Sequence, residues 1–338
     1  MVHKDLLLRA FTFGGPERIP VRASINAACW ADHDGEALER LMLDHPLLFP
    51  QYRKGGIDPS DPPVAPWRQA GRRYVDSWGC EWETARHGVT GAVVKHPLET
   101  WEPFENFESP DPQMQNGWGP VDWEREKRRI ETARRNGRLA QGALRHGHLF
   151  LTLSYLRGYR NLIYDMADAE PRLAELIGRV ESFSARIVQR YIELDVDVLG
   201  YPEDLGAQNT PLLSPVLFRR YIKPVYRRLM SPARRAGVVV YMHSDGYIMD
   251  LAEDLLDCGV QVLNLQDLVN GVPAIRDHLK GRVCIDLDVD RQAVTANGSP
   301  ADCRDLIRES VEALWDRRGG LALNYGMYAG TPVENARA

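Results

Sequence analysis

A histidine and a carboxylate two residues apart, in His243-Ser244-Asp245-Gly246, follow directly on the apolar run 238–242. Two residues apart and just past a strand, the imidazole and the carboxylate can point into one pocket from a loop; the alternative is a hydrogen-bonded loop in which Gly246 makes the turn. An imidazole in that pocket can move a proton near neutral pH or ligate a metal. Tyr201-Pro202-Glu203-Asp204 ends the run 196–199 in the same manner. Glu203 can join His243 and Asp245 in a nitrogen- and oxygen-rich metal site. It can equally serve as a general acid if burial raises its pKa. For Asp204 the alternative is a hydrogen bond to the following loop.

Three further apolar runs end in polar residues. Asn264-Leu265-Gln266-Asp267 closes 260–263, Asp286-Leu287-Asp288 follows 283–285, and Asn324-Tyr325-Gly326 follows 321–323. Asp267, Asp286, Asn324 and Tyr325 are thus candidate substrate-binding residues, as is Asn26 beyond the first strand. Asp286, Asp288 and Asp290 do not form a calcium loop, because the required glycine and closing glutamate are missing. Asp288 and Asp290 instead suit the cap of a short helix near Arg291. The sequence has no Walker loop, no dinucleotide fingerprint and no nucleophile elbow, so no nucleotide cofactor is expected.

The elements that position these residues alternate regularly. A first strand is predicted over 19–25, a helix over 35–43 and a charged helix over 123–136. A strand candidate covers 138–144. Leu173, Leu176, Ile177, Val180, Phe183, Ile187 and Val188 recur at helical spacing and predict a long helix over 171–194. Ser214-Pro215 predicts a helix start, and Ser299-Pro300-Ala301-Asp302 resembles a capping box. Strand, helix, strand at this spacing means βαβ units and a parallel sheet. Strands buried on both faces collect polar residues at their ends, and in a (β/α)₈ TIM barrel the C-terminal rim is where chemistry is done. Five polar strand ends in one register point to an enzyme.

Residues 46–122 are proline-rich and hold Trp67, Trp78, Trp82, Trp101 and Trp118. A hairpin is predicted over 74–82 with 93–95 as partner strand. The expectation is one domain over 1–338 with 46–122 as an insertion. As a lid, that insertion would place Trp78 against a substrate. The alternative is an aromatic core beneath a long loop. The net charge of −5 at 338 residues excludes a broad basic surface for nucleic acid. No apolar run can span a bilayer, and no leader is seen at the start. Five scattered cysteines without CxxC spacing predict reduced thiols and a cytoplasmic protein.

Several segments resemble the uroporphyrinogen decarboxylase superfamily. Ser214–Pro224 is similar to its serine-proline segment, Val240–Gly246 to its histidine-serine strand end, and Gly259–Asn264 to a following strand. Thr331–Asn335 and Glu17–Val21 resemble its closing and opening motifs. The resemblance implies a TIM barrel and one of two chemistries. One is cofactor-free decarboxylation of uroporphyrinogen. The other is methyl transfer involving corrinoid proteins, coenzyme M or tetrahydrofolate, often with zinc. Arg68-Gln69-Ala70-Gly71-Arg72 matches the decarboxylase arginine motif in letters but falls far beyond the first strand, inside the tryptophan-rich segment. The thiol-activating methyltransferases carry His-x-Cys and a later cysteine. Here Asp245 and Asn324 or Tyr325 stand at those places. The resemblance therefore implies a harder site of Glu203, His243 and Asp245, which could hold zinc or no metal. The expected function is transfer of a methyl group from a small, aromatic methoxy substrate to a corrinoid on a partner protein, an O-demethylation. The alternatives are a decarboxylase and a non-catalytic binding barrel. A homodimer is also expected from the resemblance.

Overall fold

The computed structural model describes residues 4–50, 52–57 and 64–338. The first three residues, read for a leader, and positions 51 and 58–63 of the tryptophan-rich segment lie outside the described residues. Ten strands follow in chain order: β1 (Val21–Ile25), β2 (Tyr74–Val75), β3 (Glu81–Glu83), β4 (Ala92–Lys95), β5 (Gln141–Ala143), β6 (Val198–Asp204), β7 (Val239–Asp245), β8 (Val262–Gln266), β9 (Cys284–Asp288) and β10 (Leu321–Met327). Contacts divide the chain into two compact units. The first takes the described residues up to Arg73, with Glu83–Ala92 and Gln266–Ala338; the second takes Tyr74–Trp82 and Val93–Leu265.

In the first unit the parallel strands run in the order β1-β10-β9, with Arg22 opposite Asn324 and Asn324 opposite Asp288. Leu38, Leu41, Met42 and Met327 form part of its core. The helix Pro300–Leu314 opens with the expected capping box between Ser299 and Asp302. A further helix covers Val272–Leu279.

In the second unit the order is β8-β7-β6-β5, again parallel. Pro202 lies opposite His243 and Asp204 opposite Asp245. Burial alternates along β6 and β7 in step. Tyr201, Glu203, Met242 and Ser244 are buried on one face, and the Tyr201 hydroxyl donates to Leu229 O in the helix Lys223–Arg235. Pro202, Asp204, His243 and Asp245 lie on the other, less buried face. The long helix Pro171–Glu193 buries the expected apolar stripe. Ser214 caps a helical run that passes through a π turn at Phe218–Ile222 before continuing to Arg235. The hairpin is also present, with Tyr74 opposite Trp82 and β4 next to β3.

The α/β class is therefore as predicted. Among the described residues the parallel strands number seven, where a closed barrel of this type has eight. Three of the five tryptophans of segment 46–122 lie in a buried aromatic core, as the alternative reading of that segment has it. Trp78, Trp82 and Trp118 are buried. Trp78 packs on Phe107 and Phe183, and Trp82 packs on Trp118 and Tyr155. The five cysteines are free and buried.

Candidate functional site

Three donors from three consecutive parallel strands converge in the second unit. His146 follows β5, Asp204 ends β6 and His243 lies near the end of β7. The pairing of β5 with β6 continues past the strand, where Leu144 N–H donates to Gly200 O and Gly147 N–H to Pro202 O. That extension carries His146 to the level of Asp204. His146 Nε2 lies 3.2 Å from Asp204 Oδ1. His243 Nε2 lies 3.8 Å from the same oxygen and 3.6 Å from Asp245 Oδ1. The two imidazole rings stand 5.9 Å apart. One ligand atom from each of His146, Asp204 and His243 lies within 4.8 Å of the others.

Hydrogen bonding sets the tautomer. Asn264, opposite His243 on β8, places Oδ1 2.6 Å from His243 Nδ1. A carbonyl-type oxygen can only accept, so Nδ1 carries the hydrogen and Nε2 turns its lone pair toward the carboxylates. Metal-binding histidines are held in this way by a partner on the other nitrogen. Asp245 N–H donates to Asp204 Oδ1 at 3.1 Å. Gly246 and Gly206 fix the loops behind. A Cβ on Gly246 would stand 2.1 Å from Gly206 O, and Gly246 has φ +79°, so only glycine fits this approach.

Charge follows the geometry. Burial pulls the His146 pKa down, but the Asp204 hydrogen bond and the charges of Asp204, Glu203 and Asp245 outweigh it and raise the value. Burial pushes Asp204 up, and the His146 bond, the two imidazoles and the Asp245 amide bring it below the usual carboxylate value. Two nitrogens and a carboxylate oxygen suit zinc. Ligands about 2.0–2.1 Å from a tetrahedral zinc stand roughly 3.3 Å apart, near the 3.2 Å between His146 and Asp204, with His243 Nε2 farther from that oxygen at 3.8 Å. The residues fit such an ion without thiolate.

Glu203 does not join this cluster, because successive side chains on a strand point to opposite faces. It is fully buried. Its carboxylate accepts the N–H groups of Leu149, Phe150 and Leu151 at 2.9–3.1 Å, and the Tyr226 hydroxyl at 2.9 Å. Those amides begin the helix Phe150–Arg157. Asp204, whose sequence context also allowed a loop-bonding role, holds the place expected for Glu203. His146 escapes a reading of the sequence because β5 is three residues long and offers no apolar run. The visible signal is Arg145-His146-Gly147-His148 just after a strand candidate.

The remaining candidates sit elsewhere. Asn26 Oδ1 accepts Ala28 N–H at 2.8 Å and closes a turn. Trp78 belongs to the aromatic core above. In the first unit Asp286 is buried and pairs with Arg22. Asp288 pairs with Arg291 at 3.2 Å. Asp267 accepts from Leu268 N–H at 2.6 Å and Asp290 N–H at 3.1 Å. Burial first, opposed by those amides and assisted by the charges of Asp290 and Asp288, pushes its pKa up to about 7. Asp290 caps the turn before Thr295 through four backbone amides. Asn324 shares a strand face with Arg22 and Asp288. Tyr325 points to the opposite face, and burial raises its pKa.

A sheet of parallel strands with histidine and carboxylate at its strand ends defines an α/β enzyme-like scaffold. The chain belongs to the uroporphyrinogen decarboxylase (URO-D) family, whose profile matches residues 75–338. It is 30% identical over 168 residues to uroporphyrinogen decarboxylases from two strains of Thermus thermophilus. That match takes 48% of this chain and 45% of each relative, so it spans about half the length of these curated proteins. A solved methyltransferase from Methanosarcina mazei shares the fold. Its TM-score is 0.68 at 18% identity, covering 99% of this chain and 96% of that one. No helix among the described residues is long and apolar enough to cross a membrane.

Proposed function

We propose that the protein is a metal-dependent methyltransferase that takes a methyl group from a small methoxy substrate, an aromatic ether among the candidates, and passes it to a corrinoid on a partner protein. The observation that carries this reading is the convergence of His146, Asp204 and His243 within 4.8 Å. These three residues would hold a zinc ion, with Asp245 beside His243. A bound zinc supplies positive charge for an ether oxygen, since a bare alkoxide or phenoxide leaves poorly. The chain's own contribution is to fix the donors. Asn264 orients His243, and Gly206 with Gly246 packs the Asp204 and Asp245 loops together. Trp78 is buried and does not contribute to substrate stacking.

Decarboxylation is the second reading, and the Thermus relatives favour it. A porphyrinogen with several carboxylates needs free cations. Arg22 is engaged by Asp286, and Arg72 is exposed and bonded to Gln69 at 3.1 Å. The Arg22–Asp286 ion pair speaks for the first reading, whereas Arg72 meets only a neutral amide and does not decide between the two. The test is to incubate the purified chain with methoxybenzenes and reduced cobalamin, and separately with uroporphyrinogen. Methylcobalamin formation that depends on zinc supports the proposal. Uroporphyrinogen consumption by metal-free protein would overturn it.

A further inference from the structure

Glu203 is placed where it can govern the metal site without touching it. His146 sits in a loop held on both sides. Before it, Arg145 is buried, with Nη1 3.2 Å from Asp76 Oδ2 and 2.7 Å from Gly117 O, and its guanidinium lies over the Trp118 ring. After it, Gly147 N–H donates to Pro202 O at 3.0 Å, and His148 Nδ1 lies 3.1 Å from the same oxygen. The next three amides, Leu149, Phe150 and Leu151, all donate to the Glu203 carboxylate. An anion at the start of a helix is favoured by the unpaired N–H groups and the helix dipole. The carboxylate is itself held by the Tyr226 hydroxyl, and Tyr226 stacks on the His148 ring at 5.2 Å and 25°. His148 is fully buried, and desolvation keeps its pKa below the ordinary imidazole value despite the Glu203 charge.

The result is a chain of contacts from β6 to His146. Asp204 supplies a ligand atom from one face of the strand. Glu203, its neighbour, fixes from the opposite face the segment that carries the second ligand. We infer that Glu203, with Tyr226 and His148, is a positioning residue that sets the distance between His146 and Asp204. This inference rests on the proposed metal site for its functional consequence, but not for its geometry. Outer partners of metal ligands typically change affinity by about 10–100-fold when lost.

The test uses the full chain with Glu203→Gln and Tyr226→Phe. Glu203→Gln replaces an acceptor by an amide N–H₂ that cannot receive the helix amides. Tyr226→Phe removes one O–H donor and keeps the ring, so it serves if the first variant does not fold. Cobalt(II) affinity is measured by chelator competition, together with the visible spectrum of the bound ion. Crystal structures of both variants are solved without metal. The expected result is a roughly 10–100-fold weaker cobalt(II) affinity for Glu203→Gln, a smaller loss for Tyr226→Phe, and an altered spectrum in chains that still melt cooperatively. His146 Nε2 would move away from its 3.2 Å position beside Asp204. An unmoved His146 in either folded variant would overturn the inference, as would unchanged affinity and spectrum. If the wild-type chain takes up no cobalt, the metal reading fails, and the position of His146 in the crystals still decides this one.

Discussion

Two sets of polar strand ends lie in this chain, one per unit, and they are built differently. In the second unit, His146, Asp204, His243 and Asp245 bring donors of complementary type together on a partly exposed face. In the first unit, buried carboxylates are settled one by one. Asp286 has Arg22, Asp288 has Arg291, and Asp267 and Asp290 hold backbone amides. A polar strand end therefore has two uses. It can gather ligands around a shared point, or it can satisfy a buried charge. Residue type at the strand end does not distinguish them; the partner does.

Substitutions in the two units should separate these uses. The largest effect is expected for His146→Ala and His243→Ala, each lowering zinc affinity more than about 100-fold by removing one of three ligands. Their melting temperatures without metal should stay near wild type. Chelator competition and calorimetry check both halves of that statement. The reverse is expected for Arg22→Ala. It leaves Asp286 buried without its cation and should cost about 3–5 kcal/mol of stability, with zinc affinity unchanged. Urea denaturation measures it.

Asp267 extends the contrast to pH. Its carboxyl titrates at about 7 in the fold, against an ordinary value of 3.8. The folded state then binds more protons than the unfolded state between those values. Stability is fullest below the unfolded pKa and is lost as pH rises through the folded one. Asp267→Asn should flatten that fall, which is on the order of 4 kcal/mol at most. Equal slopes for both proteins in pH-dependent melts would count against this role for Asp267. The smallest effect is expected for Asn264→Leu, which frees the His243 tautomer and should weaken zinc binding about 10-fold.

Much of the fold is legible in the sequence because it is periodic. The apolar stripe of Pro171–Glu193, the capping box at Ser299 and the hairpin at 74–82 each carry their signal locally. His243 and Asp245 are legible for the same reason, since both follow a long apolar run. The choice of Glu203 over Asp204 fails on a single-residue question. Pro202 opposite His243 puts Asp204, not Glu203, on the histidine's face, and strand register is a pairing property that one strand alone does not encode. His146 escapes because β5 is too short to show a pattern and depends on β6 for its position. The tryptophans mislead in another way. Their concentration suggests a lid, but Trp78 packs on Phe107 and Phe183 and Trp82 on Trp118 and Tyr155, partners far off in sequence.

The functional proposal stands or falls on His146, Asp204 and His243 forming one metal centre. Zinc content per chain decides this when wild type and His146→Ala, both purified without chelators, are run side by side. One zinc per chain is expected in the wild type, with a near-complete loss in His146→Ala and the fold intact. A wild-type chain without zinc, or a His146→Ala chain that keeps it, would contradict the shared metal centre.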